Sequence, residues 1–366
     1  MEGERDVKAF DLVVKLPADY WASFSNMSKP WSSLTSNSLL ISCSNNPSSE
    51  RYFFTANDEE LTALHRLTLS TADQPHTVTQ ILNQLFCFYD GNSTVFVCNL
   101  LSHEIIPLQT PSCLRSCHKY SSKKYCPEYF LGFEPYSKCY KVLNVCHIYV
   151  GNFMSCKSMD TNHTEVNCEV FGLGTDNSWR KIDAPHFRIR PYSQSVCVNG
   201  TLHWMRTDNG KAAALGAFDL KDEKFRAMSL PEGVSGHHDL IQVGENLAVL
   251  DCDDFRMKSK IRLWTLKDYN NEAWMKEDFD FPFSTMMLRR PIPINNSNRG
   301  EIMLIEYNSS LLSRVFVYDF KTQQRRMIEI TETTDGNNFK FMDVGKRAGI
   351  LVTYLSGKEL PAFQGN

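Results

Sequence analysis

The 366-residue chain has no run of 18 apolar residues, which argues against a transmembrane helix. Its first 17 residues, MEGERDVKAFDLVVKLP, carry charges where a secretory leader needs an apolar stretch, so no leader is expected. An excess of one charge sign is also missing. The formal net charge is −3 and the isoelectric point about 6.4, which gives no reason to expect nucleic acid or an acidic membrane as partner. The common catalytic signatures are absent: no G-x-S-x-G, H-E-x-x-H, P-loop or G-x-G-x-x-G occurs. Twelve cysteines fall well short of a disulfide scaffold. These absences point to the cytosol or nucleus, where thiols stay reduced. The Asn-x-Ser/Thr triplets at Asn92, Asn162 and Asn199 then read as turn composition, not as glycosylation acceptors.

What is present is a succession of β-runs broken by polar turns, densest from Cys168 to Pro231. In CEVFGLGTDNSWRKI (168–182) the turn falls on 175–178 and Trp179 restarts the pattern. In SVCVNGTLHW (195–204), Asn199-Gly200 sits between Val196/Val198 and Leu202/Trp204. Both residues accept positive φ, which makes this the strongest hairpin signal in the chain. In AAALGAFDLKDEKFRAMSLP (212–231), Asp219–Lys224 separates two further runs. Hairpins of the same kind are expected with turns at 90–92, 101–104, 134–138, 244–246, 268–271, 295–300 and 321–324. Residues 51–56 and 63–70 read as strands, with a helix over 58–67 as the alternative. Residues 339–355 read as a final strand pair, and 110–128 as a polar, basic loop.

The unit of aromatic-rich strand, polar turn and returning strand recurs near Asn99, Glu134, Gly174, Asp219, Leu266 and Asp319, at intervals of about 35 to 53 residues. A period of that size with about four strands predicts an all-β fold of the β-propeller type. A single four-stranded sheet cannot cover both of its faces, and radial packing buries them. Neither a Gly-His…Trp-Asp signature nor a kelch double glycine accompanies the period, and a large β-sandwich is the alternative.

Several groupings invite a chemical reading. Cys113, Cys117, His118 and Cys126 resemble part of a zinc site, but a second close ligand pair is lacking, so reduced loop thiols are expected. His237-His238 are adjacent and diverge. Gly172-x-Gly174 lacks the third glycine and the following helix and reads as turn glycines. Asp251, Asp253 and Asp254 lack the twelve-residue calcium-loop pattern and read as a turn after a strand. Arg289-Arg290 and Arg325-Arg326 are too short for a nucleic-acid patch. Trp179, Trp204, Trp264 and Trp274 are expected to pack between sheets. No cofactor or metal is expected.

FLGFEPYSKCYKVLNV, CEVFGLGTDNSWRKI, SVCVNGTLHW, ALGAFDLKDEKFRAMSLP and ENLAVLDC together resemble the F-box-associated domain of plant F-box proteins, in order and spacing, over roughly 80–330. The resemblance implies a propeller-like domain that recruits a protein substrate to a Skp–cullin–F-box ubiquitin ligase. It also implies a preceding F-box of about 45 residues that begins with Leu-Pro, ends in a Cys-Lys-x-Trp-like segment, and binds a Skp-type adaptor. Here Leu16 and Pro17 are followed after only about a dozen residues by Ser28–Leu34, with Trp31 and Leu34. The apolar helix that packs on the adaptor is therefore expected to be lost, leaving Leu16, Pro17, Trp31 and Leu34 as the adaptor-binding remnant. A short helix is expected over 17–24, ended by Pro30. The organisation read from the chain is a degenerate F-box remnant and linker over 1–46, a β-propeller-like domain over 47–358 and a tail over 359–366. The function expected is protein recognition without catalysis. The alternatives are a non-ligase scaffold or decoy and, further off, a β-propeller glycosidase or lyase, for which no constellation of carboxylates can be named.

Overall fold

A computed structural model describes residues 38–45, 50–56, 60–68, 77–80, 82, 85–89, 95–99, 105–115, 123–150, 164–187, 195–208, 211–234, 238–281, 292–295, 301–305, 315–319, 322–330 and 350–355. In chain order these form β1 (Ser38–Asn45), β2 (Glu50–Ala56), β3 (Glu60–Thr68), β4 (Thr77–Val78), β5 (Leu85–Tyr89), β6 (Val95–Asn99), β7 (Ile105–Pro107), α1 (Ser112–Arg115), β8 (Lys123–Glu134), β9 (Cys139–Val150), β10 (Thr164–Gly172) and β11 (Arg180–Ile182). There follow β12 (Ser195–Val198), β13 (Thr201–Asp208), β14 (Lys211–Asp219), β15 (Lys224–Met228), β16 (His238–Val243), β17 (Asn246–Asp251), α2 (Phe255–Lys258), β18 (Lys260–Asp268), β19 (Ala273–Asp280), β20 (Ile292–Asn295), β21 (Glu301–Ile305), β22 (Val315–Asp319), β23 (Arg325–Ile330) and β24 (Ile350–Leu355). The fold is all-β and β-propeller-like, as the period predicts.

The chain divides into two compact units, one built on His76–Met228 and the other on Ser32–Pro75 with Ser229–Ala362. The first holds three four-stranded antiparallel sheets, β4–β7, β8–β11 and β12–β15, each with sequential strands side by side. Its core joins Phe130, Leu143, Trp179, Leu202, Trp204, Phe218 and Leu220. Phe130 and Trp204 stack with centroids 5.2 Å apart at 16°, and Phe225 meets Trp204 edge-on at 6.1 Å. Gly216 makes this possible: a Cβ there would lie 2.6 Å from Trp204 Nε1 and 2.8 Å from Phe187.

The second unit holds the sheet β16–β19 and a closed eight-stranded barrel in the order β1-β2-β3-β23-β22-β21-β20-β24. The barrel consists of two antiparallel meanders joined by two short parallel ladders, Glu329–Ile330 beside Glu60–Leu61 and Ile294–Asn295 beside Val352–Thr353. The core of this unit includes Phe255, Phe281 and Tyr318, with ring centroids 5.3 Å apart for Phe255–Phe281 and 4.5 Å for Phe281–Tyr318.

Burial explains the imperfect alternation of the sequence. Residues 142–148 of β9, 201–205 of β13 and 215–218 of β14 are buried without a break. Inner strands of stacked sheets are covered on both faces, so apolar residues need not alternate there. The edge strand β19 is the opposite case. It exposes Lys276, Glu277, Asp278 and Asp280, charges that discourage pairing with another chain.

Several expectations are corrected. Ser38–Asn45 lies in the segment read as linker, yet it pairs along its length with β2 and β24. The strand reading of 63–70 stands over its helical alternative at 58–67: β3 covers Glu60–Thr68. The loop read over 110–128 contains α1 and ends where β8 starts at Lys123, because Tyr125 to Phe133 supply β-formers down to the turn. The one-turn helix α2 was not foreseen; it is closed by Ser259 at φ 52°. Glu134 and Gly174, counted as successive repeats, are the first and third hairpins of one sheet. The second strand of the pair expected at 339–355 is β24; residues 339–349 lie outside the described residues, as do the whole N-terminal segment 1–37 and the turns at 90–92, 101–104 and 296–300.

Candidate functional site

One end of the first unit is built from four turns: 135–138 between β8 and β9, 173–178 between β10 and β11, 199–200 between β12 and β13, and 220–223 between β14 and β15. Alternation of strand direction places all four at the same end of their two sheets. Each turn has a local cause. Glu134 accepts the Tyr136 N–H at 2.8 Å and the Ser137 N–H at 2.6 Å, and also takes the Ser137 hydroxyl. Burial acts to raise its pKa, but these donors and Lys141 outweigh it and hold the carboxyl below its ordinary value. Asp219 accepts the Lys221 and Asp222 N–H groups at 2.8 and 2.7 Å. Gly172 donates its N–H to Asp176 at 2.8 Å. Asn199 and Gly200 take φ 49° and 75°, as the Asn-Gly reading required.

The turns are locked to one another. Leu220 donates its N–H to Gly200 O at 2.9 Å. A Cβ on Gly200 would lie 2.9 Å from Pro135 Cδ, so only glycine fits beneath the first turn. Lys141 Nζ reaches Leu220 O at 2.6 Å and Glu223 at 2.7 Å. Arg180 donates two hydrogen bonds to Glu223, at 3.0 and 2.8 Å, and a third to Asp176 at 3.0 Å. Arg180, with help from Lys141 and against some burial, pulls the Glu223 pKa down to about 2. The result is a platform whose loops have little freedom left to lose. Tyr136 stands out of it with 82% of its surface exposed, and Lys221 Nζ lies 4.8 Å from the centre of its ring.

A regularity that the sequence reading missed runs through these hairpins. An acidic residue closes the strand, its carboxylate takes turn N–H groups, and four residues later a non-glycine residue adopts left-handed backbone: Glu134/Lys138 (φ 54°), Asp219/Glu223 (54°), Asp268/Glu272 (50°) and Asp319/Gln323 (56°). Asp268 takes the Asn270 and Asn271 N–H groups at 2.9 and 3.0 Å, and Asp319 the Thr322 N–H at 3.2 Å. The signal was an acid at the end of a β-run with a long polar residue four positions on, the position that takes the αL backbone.

The other candidates resolve as follows. Leu16, Pro17, Trp31 and Leu34 lie outside the described residues, as do Cys117, His118, His237, Arg289 and Arg290. Cys113 is buried in α1, its Sγ 3.7 Å from Asn144 Oδ1, and Cys126 stands in β8 opposite His147. Among the described residues no group of three or more His, Cys, Asp or Glu could hold a metal ion. Asp251 is buried and paired with Arg262 at 3.1 Å, and Arg262 also holds Asp254; a guanidinium sits where a calcium reading would have wanted the ion. Gly172 ends β10 and Gly174 (φ 82°) sits in the turn that follows, so both serve as turn glycines. Burial pushes the Cys168 thiol up to about 12 and that of Cys197 up to about 11, which keeps both protonated and unreactive at neutral pH. Trp179 and Trp204 are buried packing residues; Trp264 is half-buried with Lys276 Nζ 5.6 Å from its ring. No helix among the described residues is long and apolar enough to cross a membrane.

Comparison with known proteins defines the class. Residues 38–352 match the F-box associated beta propeller domain, and the chain belongs to that family. It is similar to two Arabidopsis thaliana proteins over most of their length. These are the putative F-box protein At3g10240 (23% identical, covering 89% of this chain and 85% of that one) and the F-box/kelch-repeat protein At4g19930 (24%, 92% and 87%). Among solved structures it is similar to TolB from Acinetobacter baumannii, with a TM-score of 0.47 at 7% identity, covering 87% of this chain and 66% of that one. It is also similar to the Aleuria aurantia lectin AAL, at 0.44 and 10%, covering 83% and 98%.

Proposed function

We propose that the chain is a protein-recognition module, the substrate receptor of a Skp–cullin–F-box ubiquitin ligase, working in the cytoplasm or nucleus without catalysing a step itself. The observation that carries the recognition reading is the interlocked platform with its outstanding Tyr136. Rigid loops that present an aromatic side chain lose little entropy on binding, and such residues dominate protein interfaces. The carboxylates Glu134, Asp176, Asp219 and Glu223 are engaged with turn N–H groups or with Arg180 and Lys141, so none of them stands ready for acid–base work. The ligase setting is supported by the names of the F-box relatives. We assign the adaptor contact to Leu16, Pro17, Trp31 and Leu34, within a shortened F-box that precedes β1 of the propeller-like domain.

The short spacing between Leu16-Pro17 and Trp31 favours one second reading, a scaffold or decoy that binds cargo but not the adaptor, since a stable interface needs about 800 Å² per partner. Affinity purification of the tagged full chain with mass spectrometry separates the two. Co-purification of a Skp-type adaptor with an enriched cargo protein is expected for the receptor. Cargo without adaptor makes the chain a scaffold or decoy. Absence of any enriched cargo overturns recognition.

A further inference from the structure

We infer that the four-turn platform takes an acidic peptide, a segment rich in Asp or Glu that lies across Tyr136 and Lys221; the inference rests on the recognition reading and names the partner's chemistry. The argument is one of charge left over. The turns carry carboxylates and ammonium groups in similar number, but the two are used differently. Glu134 and Asp219 accept the N–H groups of the turn residues that follow them, and Asp176 and Glu223 are held by Arg180 and Lys141. Lys221 makes no ion pair among the described residues, and its ammonium lies over the Tyr136 ring, which leaves its remaining N–H donors directed at solvent. Lys181 in β11 and Lys224 at the start of β15 are exposed as well, against the outward carboxylates of Asp222 in the fourth turn and Asp183 after β11. Glu134, Asp176, Asp219 and Glu223 are thus spent on holding the platform together, while Lys181, Lys221 and Lys224 face out.

The geometry suits a peptide. The backbone that carries Tyr136 is held in place, because its own N–H and that of Ser137 are tied to Glu134. Lys221 is likewise fixed at its backbone by Asp219. A ring and an ammonium 4.8 Å apart, each on a backbone fixed by its turn, offer an apolar face beside a carboxylate-binding point.

The test uses the full chain and fluorescein-labelled probes read by anisotropy: a twelve-residue Glu/Ser peptide, a Lys/Ser peptide of the same length, and a single-stranded oligonucleotide of matched charge. The acidic peptide is expected to bind, and to weaken at least about fivefold as salt rises from about 50 to about 300 mM. Tyr136→Ala and Lys221→Glu are each expected to lower its affinity at least about fivefold, while Lys276→Glu on strand β19 of the second unit leaves it unchanged. Unaltered thermal melting of the variants checks that both still fold. No binding of the acidic peptide overturns the inference. So does equal binding of the basic peptide or the oligonucleotide, or an unchanged affinity in both variants. A cargo protein recovered equally by the parent and both variants overturns this surface and leaves recognition standing. Variant-sensitive peptide binding with no cargo recovered from cells overturns recognition and leaves the surface standing.

Discussion

Glu223 combines a left-handed backbone with a carboxylate shared by Arg180 and Lys141, so it links the second and fourth turns of the platform through one side chain. Its pKa of about 2 lies below the ordinary 4.5. Between those values the unfolded chain takes up a proton that the folded chain refuses. The stabilisation from this pair is therefore complete above pH 4.5 and is lost as pH falls toward 2, at about 1–2 kcal/mol after screening at a rim site. His203 acts in a different window. Burial is the main cause that lowers its pKa from 6.5 to about 4, only partly opposed by hydrogen bonds to Val196 and Thr201. Its neutral form is the one the fold accepts, so stability holds above pH 6.5 and falls between 6.5 and 4. Urea midpoints measured from pH 7 to pH 3 are expected to drop in two stages. His203→Gln should flatten the upper stage and Glu223→Gln the lower. A single stage unaffected by either substitution would contradict both assignments.

At the scale of the element, the acid-to-αL hairpin turn makes a differential prediction. A non-glycine residue at φ near +55° costs about 1 kcal/mol, which glycine would recover, offset by glycine's greater freedom in the unfolded chain. Gln323→Gly should therefore change stability by less than about 0.5 kcal/mol. Glu223→Gly, at the same φ, should lose about 1–2 kcal/mol because it removes the Arg180 and Lys141 contacts. Thermal melting of the two variants side by side checks the contrast. Gly216→Ala should cost about 1–3 kcal/mol by forcing Trp204 and Phe187 apart, visible as a shift in tryptophan fluorescence before global unfolding. How far the sequence could be read follows from the same elements. Asn199-Gly200 and Asp268–Asn271 announce their hairpins because the turn chemistry is local. The strand identity of Ser38–Asn45 was hidden, since its Ser/Asn composition resembles a linker and its pairing partners, β2 and β24, lie 50–56 and 350–355 in the chain. The platform was invisible for a similar reason. Arg180, Glu223 and Lys141 come from three separate hairpins, and no spacing rule connects them.

At the scale of the whole molecule, the second unit draws on both arms of the chain that flank the first. β1 receives β2 on one side and β24 on the other, with Ser38–Cys43 matched to Ile350–Leu355, so an early segment waits for the last described strand before its edge is covered. β20 also leans on β24, through the short parallel ladder to Val352 and Thr353. Ending the chain after Gly349 would remove one strand and leave two edges open, those of β1 and β20. Edges of that kind recruit other chains. The truncated protein is expected to self-associate on size-exclusion chromatography at micromolar concentration and to lose the second unit's cooperative transition in urea. The Trp204 environment, in a unit made of the continuous His76–Met228 segment, should keep its own transition. Adding the peptide 350–366 in trans should reverse the association, because the missing ladder is restored by main-chain pairing alone. Truncation without any change in assembly state would mean that β1 and β20 hold their places without the strand between them.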